Sequence, residues 1–136
     1  MGVGSFFGRN TLHNNGTVKT YSIANTIKSE YKIEDISQVT IKSGTTSAGR
    51  YAIRPACYLD ISTHSGKEFS FCMDELRDTP FNASETINEL LNLKAYYKSQ
   101  GIDILIGELE YVEELIEYYE MNDREKEMLY ELFEIK

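Results

Sequence analysis

The chain is poor in the residues that most catalytic and metal centres need. Its 136 residues include only two histidines and two cysteines. A zinc site would require at least three of His13, Cys57, His64 and Cys72 to converge. His64 stands beside Ser65, but a nucleophile and its base also need a third group that orients the imidazole. We therefore expect no enzymatic activity, no metal and no cofactor.

Long apolar runs are also missing. The longest cover a few residues, such as residues 104–106, whereas a membrane-spanning helix takes about 20 residues. The start of the chain lacks the basic region and apolar core of a signal peptide. Phe6 occupies the position where a myristoylation pattern has Ser or Thr. We expect a cytoplasmic protein without membrane contact.

Basic residues are scarce in the last part of the chain. Residues 1–106 carry 11 basic and 11 acidic side chains, whereas residues 107–136 carry 11 acidic and 3 basic ones. The formal charge of −8 therefore lies entirely in the last 30 residues. Such a segment repels nucleic acid and anionic lipid, so we expect neither as a partner.

A β-hairpin between Tyr51 and Met73 organises the sequence. Apolar residues alternate with polar ones on both sides of a turn, which predicts two strands with one buried face. A one-residue slip would turn either apolar set outward. The pattern predicts three facing pairs: Ile61 with Phe69, Leu59 with Phe71, and Cys57 with Met73.

The same register predicts the loop and the fate of the cysteines. The loop becomes His64-Ser65-Gly66, with Gly66 suited to a left-handed conformation. Cys57 faces the core and Cys72 the opposite side, so we expect no disulfide. Pro55 lacks an amide donor, which predicts an edge or a bulge at the beginning of the strand.

Shorter strands are predicted before this hairpin. Asn15-Gly16 predicts a two-residue turn whose second strand continues through Tyr21 and Ile23. Glu34-Asp35 is expected at a corner between short strands. Residues 42–50, rich in glycine and threonine, are predicted to form a flexible polar loop.

Helical spacing begins after the hairpin. Asn82 and Gly101 are typical of the two ends of a helix over residues 84–100. A short extended segment follows, either one more strand or a tether. Two further helices are predicted, one over residues 108–120 and one capped by Asn122, joined by a short turn into a helical hairpin.

This C-terminal hairpin has too much apolar surface to remain exposed to water. Ten apolar residues, each worth about 1.5 kcal/mol when buried, sum to about 15 kcal/mol before entropy is subtracted. The hairpin should pack on its own domain, on a second copy or on a partner. The predicted interface residues are Leu109, Val112, Ile116, Tyr119, Met128, Leu129, Leu132 and Phe133. The glutamates between them fit a solvated face.

Three cations suggest an alternative site. Lys42, Arg50 and Arg54 flank the glycine- and threonine-rich segment, whose backbone amides could form an anion-binding nest. The segment lacks the Gly-Lys-Ser/Thr ending of a P-loop. An anionic headgroup or a phosphate ligand is the chemistry that such a site would take.

Residues 17–106 resemble a bacterial pleckstrin-homology-like (PH-like or GRAM-like) domain. The resemblance depends on the order of elements: several strands, the pattern of Ile36, Val39 and Ile41, then CYLDISTHSGKEFSF and one amphipathic helix. It implies a binding scaffold closed by the helix at 84–100, with the acidic helical hairpin outside it.

The sequence therefore predicts an α+β protein in two parts. Residues 1–106 form a curved antiparallel sheet or partly open barrel closed by one helix, and residues 107–136 form the acidic hairpin. The expected function is that of a non-enzymatic interaction module. Its C-terminal helices would dock another protein or mediate self-association into a homo-oligomer.

Overall fold

The structure, a computed structural model, describes residues 10–13, 15–21, 26–73 and 82–136. It confirms the α+β class. The strands are β1 Asn10–Leu12, β2 Val18–Tyr21, β3 Ile27–Tyr31, β4 Ile36–Ser47, β5 Ile53–Thr63, β6 Glu68–Cys72 and β7 Asp103–Ile106. The helices are α1 Ala83–Ser99, α2 Val112–Tyr118 and α3 Asp123–Leu132, with a 3₁₀ turn at Ile33–Asp35.

The strands form two sheets rather than a closed barrel, as far as the described residues go. One sheet has three strands in the order β1-β2-β3, and the other has four in the order β6-β5-β4-β7. All pairs are antiparallel except β4 with β7, which is parallel. The 3₁₀ turn at Ile33–Asp35 forms the expected corner between the sheets.

The central hairpin has the predicted register. Ile61 faces Phe69 and Leu59 faces Phe71. The third expected pair lies just past the end of β6, where Met73 is buried but outside the ladder. Gly66 adopts φ +89°, which only glycine reaches at low cost. The cysteines form no disulfide.

The prediction of a flexible loop over residues 42–50 is wrong. β4 continues to Ser47 and pairs with β5 as far as Ile53, so that the connection is only residues 48–52. Thr45 and Thr46 suit a strand, but the segment has no apolar alternation by which to recognise one. Pro55 lies in β5 beyond the reach of β6, on an open edge among the described strands, as its missing donor predicts.

The first hairpin closes with a longer loop than expected. His13 N donates to Thr17 O at 2.9 Å, so three positions instead of two separate the paired residues. Gly16, at φ +83°, accepts a hydrogen bond on its carbonyl from Tyr97 Oη at 3.0 Å. This contact ties the small sheet to α1. Ile23 lies outside the described residues.

The first helix begins and ends as its sequence predicts. Asn82 Oδ1 accepts a hydrogen bond from Glu85 N at 3.0 Å. At the other end Gly101 is left-handed and Ile102 N donates to Tyr97 O at 3.1 Å, the hydrogen bond of a Schellman motif. The chain then forms β7, which pairs with β4. The segment after α1 is therefore a strand and not a tether.

The second helix is shorter than predicted because the chain before it stays on the sheet. Gly107 N donates to Ile41 O, and Ser43 N donates to Glu108 O, both at 2.8 Å. The helix over 108–120 is therefore reduced to Val112–Tyr118. The third helix has the reciprocal cap between Asn122 and Glu125.

A single apolar core connects these parts. It contains residues from both sheets and from all three helices. α3 packs on α1, while α2 packs on β5. Most apolar residues of the last 30 positions thus pack within the chain, whereas Leu109 and Tyr118 stay exposed.

Candidate functional site

The eight predicted interface residues divide into two groups. Four are at least 98% buried inside the chain: Val112, Leu129, Leu132 and Phe133. They pack the protein's own core and are not part of its surface. Leu109 is 44% exposed, and Ile116, Tyr119 and Met128 are partly buried. Only this second group is within reach of a partner.

Polar contacts fix α3 against α1. Lys94 Nζ donates to Leu132 O at 3.0 Å and pairs with Glu134 Oε2 at 2.8 Å, so one cation holds the carboxyl end of α3. Ser84 Oγ donates to Glu125 Oε2 at 2.7 Å at the other end. The Lys94 hydrogen bond lowers the pKa of Glu134. Bonds from the Asn122 amide and then from Ser84 lower the pKa of Glu125.

A buried serine of β4 fixes the segment that leads into α2. Ser43 is 1% exposed, and its Oγ donates to Glu108 O at 2.9 Å while accepting from Tyr111 N at 3.0 Å.

A second contact lies at the other end of α2. Arg54 Nη1, on β5, donates to Tyr119 Oη at 2.9 Å. The C-terminal end of α2 is thereby joined to the far part of the β4–β5 ribbon.

The outward side of α2 is acidic. Val112 and Leu115 face the core, and at 100° per residue the opposite side carries Glu113, Glu114 and Glu117. Tyr118, half exposed, flanks this surface and stacks edge-to-face on Tyr119. We call Glu113, Glu114, Glu117 and Tyr118 the acidic face.

The β4–β5 ribbon forms a projection that the sequence did not predict. β7 pairs with β4 only as far as Ile41, and β6 reaches β5 only as far as Tyr58. Residues 45–55, which we call the arm, thus lack a third strand among the described residues. Residues 47–53 are all exposed. Tyr51 is 93% and Ile53 75% exposed, the two highest values among the large apolar side chains described.

The alternation along β5 explains the exposed isoleucine. Ile53 lies on the same side of the strand as Cys57, Leu59 and Ile61, at a spacing of two. β5 extends beyond the edge of the core, so the apolar side chain at its beginning, Ile53, is left exposed. Arg50 lies over the ring of Tyr51, with its Cζ atom 5.9 Å from the centroid. The tip therefore combines an aromatic, an aliphatic and a cationic side chain.

The three cations of the predicted anion site do not converge. Lys42 Nζ pairs with Asp60 Oδ2 at 2.8 Å, and this hydrogen bond raises the lysine pKa. Arg54 bonds Tyr119, and Arg50 lies on Tyr51. Each cation thus has its own neighbour, and for Lys42 that neighbour is a carboxylate.

The two histidines lie in separate places. Burial lowers the pKa of His13, whose Nε2 lies 3.0 Å from Thr11 Oγ1. His64 is exposed in its turn and borders an open groove of about 670 Å³ whose polar wall includes Glu30 and Lys32. Among the described residues no group of three His, Cys, Asp or Glu side chains could hold a metal ion.

One small apolar cavity lies beneath α2. It is lined by Cys57, Leu115 and Tyr119 among others, and its volume is about 20 Å³. Thr86, which also borders it, has a buried hydroxyl without a hydrogen-bond partner in the described part of the chain. The space suffices for about one water molecule, so it is not a ligand site.

Comparisons with known proteins found no similar protein. No family model, curated protein or solved structure matches the chain. In the described parts of the chain no helix is long and apolar enough to cross a membrane.

Proposed function

We propose that the protein is a non-enzymatic cytoplasmic interaction module. It docks a protein, or a second copy of itself, through the arm and the accessible side of the C-terminal helices. The observation that carries this proposal is the tip of the arm, where Tyr51 and Ile53 are exposed at 93% and 75%. Large side chains in such a position lose water-exposed apolar surface when a partner covers them.

The composition of the two surfaces agrees with this function. Tyrosine and arginine are enriched at protein interfaces and dominate their binding energy. The tip supplies Arg50 and Tyr51, and the acidic face supplies Tyr118. Leu109, Ile116, Tyr119 and Met128 are the predicted C-terminal residues that remain accessible or partly so.

Affinity capture tests this function with a matched pair of baits. We expect the wild-type chain to retain a partner that Tyr51→Ser with Ile53→Ser loses, because that variant removes the apolar tip and no core contact. Ile27→Ser is the control, since Ile27 is also exposed but lies in the small sheet. Equal capture by all three baits would contradict the proposal.

The anionic-ligand alternative has weaker support. Arg50 is exposed at the tip, and no acidic residue occurs between Ile36 and Leu59. A pleckstrin-homology-like scaffold for residues 17–106, supported by the antiparallel strands that precede α1, would suit a headgroup ligand. Lys42→Ala, Arg50→Ala and Arg54→Ala together should then abolish binding to phosphatidylserine vesicles. Unchanged vesicle binding in that triple variant would remove the alternative.

A further inference from the structure

We propose that the partner of the arm is a second copy of this chain, with the arm of each copy lying on the acidic face of the other. This inference depends on the proposed function and names its partner. It follows from the charges of the two surfaces, from their positions in one chain and from their apolar content.

The two surfaces have complementary charges. The segment from Ile36 to Leu59 contains three cations, Lys42, Arg50 and Arg54, and no acidic residue. Residues 107–136 contain 11 acidic and 3 basic residues. Asp60 pairs with Lys42, whereas Arg50 is exposed at the tip of the arm. Opposite surface potentials favour association and fix the orientation of the partners.

The apolar side chains are also arranged to meet. Tyr51 and Ile53 project from the tip, and Tyr118 flanks the glutamates of α2. Docking would remove these side chains from water and place Arg50 among carboxylates. An interface with an aromatic and arginine centre and a charged rim has this composition.

The geometry permits a closed pair. The hydrogen bond from Arg54 to Tyr119 places the root of the arm at the C-terminal end of α2. At about 3.3 Å per residue, the tip extends roughly 10 Å further. The basic and the acidic surfaces are thus neighbours in one chain. A two-fold axis beside the arm places the arm of each copy on the acidic face of the other. Both pairs of surfaces are then used, so the assembly stops at two copies.

Light scattering after size exclusion of the full chain, combined with charge reversal, tests this arrangement. We expect the wild type to be a dimer. Arg50→Glu should raise the dimer dissociation constant about tenfold or more, and so should Glu114→Lys with Glu117→Lys. Lys28→Glu and Glu34→Lys are the controls, because both side chains are exposed away from the two surfaces and change the net charge in the same sense.

Mixing the two reversed chains gives the decisive result. In a mixed pair, the glutamate at position 50 of one copy meets the lysines of the other, and the native Arg50 meets the native glutamates. We therefore expect a heterodimer from two chains that are each monomeric alone. Circular dichroism of each variant confirms that it folds.

The possible outcomes distinguish this inference, that the partner is a second copy, from the proposed function as an interaction module. A wild-type chain that stays monomeric at high micromolar concentration would overturn the second copy as partner, as would a dimer that ignores both reversals or a mixture that fails to associate. Capture of a different protein through Tyr51 and Ile53 would then leave the interaction function standing. Binding of the arm to phosphatidylserine vesicles with the chain monomeric would overturn both.

Discussion

The arm and the C-terminal helices show opposite relations between sequence and exposure. The helices are apolar at helical spacing, and their Leu129, Leu132 and Phe133 are buried against the rest of the chain. The arm looks like a polar linker, yet it is a paired ribbon with Tyr51 and Ile53 in water. The amount of apolar surface in a segment therefore does not say whether a partner is needed. What decides it is whether another part of the same chain can cover that surface.

The largest expected effect comes from removing a core side chain of the third helix. Phe133→Ala should lower the free energy of unfolding by about 3–5 kcal/mol, because it leaves a cavity beneath α3. Tyr51→Ala in the arm should change it by less than about 0.5 kcal/mol. Urea unfolding monitored by circular dichroism measures both. A small effect of the Phe133 variant would mean that α3 contributes little to the fold.

A smaller loss is expected from the serine that joins the two regions. Ser43→Ala removes the acceptor of Tyr111 N and the donor to Glu108 O, and should cost about 1–3 kcal/mol. Ser47→Ala, four residues along the same strand and exposed, is the control. Equal unfolding midpoints for the two variants would show that the buried contact does not hold α2 in place.

The end of the second helix offers a stabilising change. Glu120 adopts φ +47° after α2, in the position that Gly101 occupies after α1. Glu120→Gly should raise the free energy of unfolding by about 1 kcal/mol, since glycine takes the left-handed conformation without strain. Gly101→Ala should lower it by a similar amount. Thermal unfolding of the pair should therefore shift in opposite directions, and a shift in the same direction would contradict this explanation.

The smallest effect concerns the ion pair that holds α3. Lys94 lowers the pKa of Glu134 below its ordinary 4.5, so the stabilisation is present above that pH and is lost as the pH falls through the folded-state pKa. Glu134 is about half exposed and screened by water, so we expect only about 0.2–1 kcal/mol. Glu134→Gln should flatten this part of the stability profile below pH 4.5. A profile identical to the wild type would exclude the pair as its source.

Local signals in the sequence predicted the local features of the fold. The register of Leu59 with Phe71 follows from alternation, and the ends of α1 and α3 follow from Asn82, Gly101 and Asn122. These features depend on short stretches of sequence, namely one hairpin and the residues at the helix ends. Where a helix boundary depends on distant residues, as at the start of α2, the sequence predicted only its approximate position.

The candidate site was beyond such signals because its elements are joined over long distances. β4 is extended through residues 42–47 because β5 pairs with it. The sequence of this segment has no apolar alternation that would predict a strand. The start of α2 is set by Ser43, which is 68 residues away from Tyr111. The burial of Leu132 and Phe133 depends on α1. The sequence does show that the arm is basic, because three cations and no acidic residue lie between Ile36 and Leu59.

Hydrogen exchange of the native full chain tests most directly whether the acidic helices belong to the core while the arm stands apart. The amides of α3 near Leu132 should exchange as slowly as those of α1 near Leu93, because both open only when the whole core unfolds. At a protein concentration low enough to keep the chain monomeric, amides of the exposed tip around Tyr51 should exchange far faster, because nothing covers them. If α3 instead exchanged in a separate, faster step than α1, the C-terminal helices would be an independent unit and the account would be contradicted.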